Sequence, residues 1–151
     1  MSAKYASLAV VAAVAVCAVV PGFHTPVRAH HAFSAEFDAN KPVKFDDAVV
    51  TRVQLINPHS WIHVDVTGPD GKVESWAIEA GSPNILMRRG ITRNSIPNGT
   101  QIVVEGYQSK DGTRRANGRD LTLPDGTKLV LGSSGTGAPY EVQRPGVDTE
   151  K

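Results

Sequence analysis

The chain has 151 residues, with 16 Lys and Arg against 15 Asp and Glu and a single cysteine. A length of this order makes one domain around a single core, and a charge balance this close to neutral gives no electrostatic reason to bind nucleic acid or an anionic membrane. One cysteine makes neither an internal disulfide nor a thiolate metal cluster.

Lys4 precedes the apolar run Ala6 to Val20, which is followed by Pro21-Gly22 and then Val27-Arg28-Ala29. That order is the layout of a secretory signal peptide, with Val27 and Ala29 at the minus-three and minus-one positions of a cut after Ala29. The apolar run is shorter than the ~20 residues that span a bilayer as a helix, so the expectation is a cleaved leader and no transmembrane anchor. Acylation at Cys17 is disfavoured because Val16 stands where a small residue is needed. A periplasmic or secreted protein is expected, lacking Cys17 and therefore any cysteine nucleophile.

Residues 30–42 lack periodicity and read as an N-terminal arm, with Phe33 and Phe37 as its anchors onto the domain. Val43 to Ile56 alternates around Val49, Thr51, Val53 and Leu55 and ends before Pro58, which cannot donate to a ladder. Ser60 to Thr67 is the second expected strand. Gly68-Pro69-Asp70-Gly71 turns the chain into a third, Val73 to Ala80. Ser82-Pro83 is a helix start, and Asn84 to Arg89 before Gly90 makes a short helix. Pro97-Asn98-Gly99 leads into a fourth strand, Thr100 to Tyr107. Arg119 to Leu123 and Lys128 to Leu131 form a last hairpin around Pro124-Asp125-Gly126. The tail, 132–151, is rich in Gly, Ser and Pro and reads as flexible.

Three strands, a short helix and further strands give a mainly β domain over 43–131. The expected architecture is a small OB-fold-like antiparallel β-barrel with its helix between the third and fourth strands. A small split sandwich is the competing arrangement.

Chemistry concentrates in Asn57-Pro58-His59-Ser60-Trp61-Ile62-His63. Side chains two apart on a strand share a face, so Ser60, Ile62, Val64 and Val66 read as core, and His59, Trp61 and His63 as the other face. If the hairpin sets Ile62 opposite Ile78, Trp61 faces Glu79 and His63 faces Ala77, which brings Glu79 near the imidazoles. Histidine with carboxylate suits Zn or Cu(II), and the absence of sulfur disfavours Cu(I). The plainer alternative has His59 bonding a loop carbonyl and Trp61 covering the arm. Cleavage after Ala29 would also make His30 the first residue, offering an amine and a ring to one metal, with His31 adding a second ring. The candidate metal ligands are therefore His30, His31, His59, His63 and Glu79, with Trp61 on the ligand face.

Several motifs together carry a family likeness: Ala29-His30-His31-Ala32-Phe33, Asn57-Pro58-His59-Ser60-Trp61, Gly81-Ser82-Pro83-Asn84, Val104-Glu105-Gly106-Tyr107, Arg115-Ala116-Asn117-Gly118-Arg119 and Gly132-Ser133-Ser134-Gly135-Thr136-Gly137. In these the chain resembles an uncharacterised family of exported bacterial proteins known only as a domain of unknown function. The resemblance spans nearly all of the mature chain. It implies export and a small β-barrel, and it brings no activity.

Arg88, Arg89 and Arg93, with Arg114, Arg115 and Arg119, read as solvated surface or as a basic patch for an anion. No nucleophile with a base and no cofactor motif stands in the sequence, so an enzyme is the least expected class. Two readings remain: a non-enzymatic protein that binds Cu(II), Zn or another divalent metal, and a metal-free binding module for a protein partner, a glycan or an envelope component.

Overall fold

A computed structural model describes residues 33–132 and 136–142. Six strands and three short helices follow one another: α1 (Phe33–Glu36), β1 (Phe37–Gln54), β2 (Ser60–Thr67), β3 (Val73–Ala80), α2 (Pro83–Arg88), β4 (Gln101–Ser109), β5 (Arg115–Thr122), β6 (Lys128–Val130) and α3 (Pro139–Val142). Strand order is β3-β2-β1-β4-β5-β6, and β3 also pairs with β5, so the pairings run from β3 through four neighbours and return to it. All pairings are antiparallel except β3 with β5, which is parallel. Among the described residues no helix is long and apolar enough to cross a membrane.

Alternation in β2 and β3 decides what is buried. Ile62 and Val64 from β2 meet Trp76, Ile78 and Ala80 from β3 in a core that also takes Val50, Ile102, Val104, Ala116 and Leu121. The turn at Gly68–Gly71 sets the hairpin register, with Gly71 at φ 77°, a left-handed value that glycine adopts without steric penalty. Ile62 lies opposite Ile78, Trp61 opposite Glu79 and His63 opposite Ala77, as the alternation predicts. Leu86 from α2, with Ile91 and Ile96 after it, adds to the same core.

Three segments differ from expectation. The arm becomes α1 and then strand from Phe33 onward, because Phe37 pairs with Ser109 and Pro42 with Tyr107 on β4. Strand β5 begins at Arg115 rather than Arg119, since Arg115, Ala116 and Asn117 find partners on β3 that no local pattern announces. The stretch after Gly132, which has few apolar residues, nevertheless buries Ala138 and Tyr140 with Phe33 and Phe37 in a second cluster, against which Tyr107 packs. Phe33 meets Tyr107 edge-on at 5.4 Å between ring centroids, a favoured aromatic geometry. This cluster joins the two ends of the described chain: the Phe33 amide donates to the Thr136 carbonyl at 2.9 Å.

Candidate functional site

His59 immediately precedes β2, and its backbone surroundings are fixed by the Ser60 amide donating to the Gly81 carbonyl at 3.1 Å. Glu79 is the next-to-last residue of β3 and points away from the Ile78 face by strand alternation. A carboxylate there would ordinarily meet water, yet Glu79 is only 8% exposed. Its Oε1 lies 3.5 Å from His59 Nδ1 and receives a hydrogen bond from Asn117 Nδ2 at 3.4 Å. Asn117 in turn accepts one from the Tyr140 hydroxyl at 3.0 Å.

The imidazole is not fully satisfied. His59 Nδ1 is buried and makes no hydrogen bond to the described residues. Buried polar atoms are nearly always bonded; the group facing this nitrogen is the buried Glu79 carboxylate, at 3.5 Å just beyond ordinary hydrogen-bond length.

Trp61 stands beside this pair, with the Arg115 guanidinium 5.5 Å from its ring centroid. That distance is within cation–π range. Arg115 is also 6.0 Å from the Phe37 ring and pairs with Glu36 of α1 at 3.0 Å. Helix α1 is thus tied to Arg115 of the site by an ion pair.

Burial pushes the Glu79 carboxyl above the usual carboxylate range, and the Glu36 charge adds to this; His59, the Asn117 hydrogen bond and Arg115 act in the opposite direction without cancelling it. The folded protein therefore holds a proton on Glu79 in a pH window just above the ordinary carboxylate value, where the unfolded chain has released it. Stability falls as pH rises through that window, and at neutral pH the ionised carboxylate is a burden on the fold. Glu79→Gln keeps an oxygen for Asn117 and removes the charge. The expected result is a higher melting temperature than wild type at neutral pH in chelator-treated protein, with the difference shrinking toward acid. A Gln variant that melts lower at neutral pH would contradict this account.

The structure brings together only part of the expected ligand set. His59, Glu79 and Trp61 are neighbours. His63 is separated from His59: four residues along a strand is about 13 Å, and its Nε2 bonds Gln54 Oε1 at 2.7 Å. Burial and the nearby Arg52 charge lower the His63 pKa. His30 and His31 lie outside the described residues. Among the described residues, no group of three or more His, Cys, Asp or Glu is placed to hold a metal ion.

Four of the six arginines of the candidate basic patch hold partners within the fold. Arg114 pairs with Glu74 at 2.8 Å, Arg115 with Glu36 and Arg119 with Glu105 and Asp120. Arg89 donates to the Val130 and Gly132 carbonyls at 3.1 and 2.6 Å, which ties α2 to the end of β6. Asn117 and Tyr140 were not expected at the site. Their only sequence signal was membership of the Arg-Ala-Asn-Gly-Arg motif for Asn117 and the isolated aromatic of the tail for Tyr140.

Residues 18–118 match the model of a family of unknown function (DUF6152). No curated protein and no solved structure matches the chain.

Proposed function

For this chain, which belongs to that family of unknown function, we propose an exported, non-enzymatic binding protein that takes a divalent metal, Cu(II) or Zn. In this reading the leader is cut after Ala29, and His30 and His31 join His59 and Glu79 as ligands. We read the returning strand pairings as an OB-like barrel, supported by the parallel β3–β5 pairing and by α2 between β3 and β4. The site would lie on the β2–β3 face, a usual ligand platform of that architecture.

The observation that carries the metal reading is the buried, unbonded His59 Nδ1 facing the Glu79 carboxylate at 3.5 Å. Two ligand atoms bound to one tetrahedral Zn at its usual bond lengths stand about 3.4 Å apart. The pair therefore needs almost no movement to share Zn, while adjacent positions on tetragonal Cu(II) require the two side chains to close by roughly half an ångström. A metal would also offset the charge that burdens Glu79. The remaining positions fall to the His30 amine and ring and to His31, which enter three and two residues before the buried Phe33.

The test is a titration of Cu(II) and of Zn into protein processed by an exporting host, with its N-terminus read by mass spectrometry. One equivalent should bind, and His59→Ala or one extra Gly ahead of His30 should weaken binding by about 10-fold or more. Ligating imidazoles must be neutral, so affinity should fall on acidification. Equal affinity in all three proteins would remove the shared site.

The metal-free module then becomes the better reading. Its support is the half-buried Trp61 carrying Arg115 over its ring, an aromatic and a cation presented together to a protein partner, glycan or envelope component.

A further inference from the structure

The Glu79 carboxylate does not stand alone against His59; it ends a chain of buried polar side chains that starts in the C-terminal segment. The Tyr140 hydroxyl donates to Asn117 Oδ1 at 3.0 Å, and Asn117 Nδ2 donates to Glu79 Oε1 at 3.4 Å. With Glu79 ionised the direction of both bonds follows: a carboxylate only accepts, so the Asn117 amide turns its nitrogen to Glu79 and its oxygen to Tyr140. Tyr140 and Asn117 are 2% and 5% exposed, so water does not substitute readily for either bond.

Tyr140 is itself fixed from three sides. Its ring lies so close over the Gly132 backbone that a Cβ at 132 would stand 2.5 Å from it. Tyr107 stacks on it at 6.4 Å. The segment around it is closed by Glu141, whose Oε1 accepts from the Thr136 amide at 2.8 Å and the Thr136 hydroxyl at 2.6 Å. The Thr136 carbonyl in turn receives the Phe33 amide at 2.9 Å. One short segment thus holds both α1 and, through Asn117, the orientation of Glu79.

We infer that Tyr140, acting through Asn117, is a positioning residue for Glu79, and that Thr136–Val142 is part of the binding site. The inference rests on the metal reading for its consequence, since partners behind a metal ligand set its orientation and basicity and are typically worth 10–100-fold in affinity. The geometric part, a Tyr140–Asn117–Glu79 relay, exists with or without metal.

Tyr140→Phe tests it, because it deletes the hydroxyl and leaves the ring over Gly132. Tyr107→Phe is the control, since the Tyr107 hydroxyl makes no hydrogen bond among the described residues. In the full processed chain, Tyr140→Phe should weaken Zn and Cu(II) binding about tenfold and alter the Cu(II) paramagnetic resonance spectrum as the carboxylate is lost. Tyr107→Phe should do neither. Wild-type affinity and an unchanged spectrum in Tyr140→Phe would overturn the inference.

A second measurement separates this from failure of the metal reading. In metal-free protein, the side-chain amide protons of Asn117 should exchange faster with solvent in Tyr140→Phe and stay protected in Tyr107→Phe. If wild type binds no metal, the metal reading falls and this exchange decides the relay alone. Equal protection in both variants would sink it.

Discussion

Ile62→Ala should lower the unfolding free energy by about 2–5 kcal/mol, the range for truncating a fully buried isoleucine. Ile62 is 1% exposed and lies opposite Ile78, also 1% exposed, across the β2–β3 hairpin. Both belong to the cluster that joins β1, β2, β3, β4 and β5, so neighbours from several strands would have to move together to fill the void. The surroundings are β-sheet backbone on either side, which collapses poorly into a cavity. The control is Val73→Ala on the adjoining strand, where the side chain is 63% exposed and the change should stay within about 0.5 kcal/mol. Denaturant midpoints of the two variants give the comparison. Similar shifts for both would mean that the alternation of β2 and β3 does not define the core.

Gly106→Ala should be nearly as damaging, at about 3 kcal/mol, for the opposite reason: it adds an atom where none fits. A Cβ at 106 would stand 2.2 Å from the Asn117 carbonyl oxygen and 3.0 Å from its carbon. Those are backbone atoms of β5, paired to β4 at Gly106↔Gly118, so no side chain can rotate aside. Glycine inside a strand often marks such a close approach. The displaced residue is the one whose side chain holds Glu79, so a folded fraction of Gly106→Ala should also bind metal more weakly than wild type. Gly68→Ala is the comparison, since the added atom there first meets the flexible Asp70 carboxylate at 3.1 Å. Equal denaturant midpoints for the two alanine variants would show that β4 and β5 are not held as close as the contact requires.

Gly106→Ala acts through Asn117 on the His59–Glu79 pair, and the pair itself was half legible from sequence. Alternation in Ser60–Thr67 and Val73–Ala80, joined by Gly68-Pro69-Asp70-Gly71, determined the two strands and their hairpin. Once Ile62 is placed opposite Ile78, Glu79 must sit across from Trp61 and beside His59. These are local facts, set by a period of two residues and one tight turn. Family membership was legible for the same kind of reason, from short motifs that stand in the chain as written.

Tertiary structure decided what that face became. Glu79 lies on the strand side that a hairpin alone leaves to water, yet it is buried, with His59 and Asn117 against its carboxylate. Asn117 is 38 residues away from Glu79 in the chain. It sits in Arg115-Ala116-Asn117-Gly118, which has no alternation to announce a strand and becomes one by pairing in parallel with β3. Tyr140 stands in a segment too poor in apolar residues to predict a contact, and is buried because Gly132 lets a ring lie against its backbone. His63 shares a face with His59 but not a place, since each residue of an extended strand moves the chain on by about 3.3 Å. Periodicity tells which way a side chain points; which other side chains arrive to meet it depends on strands brought together from far along the chain.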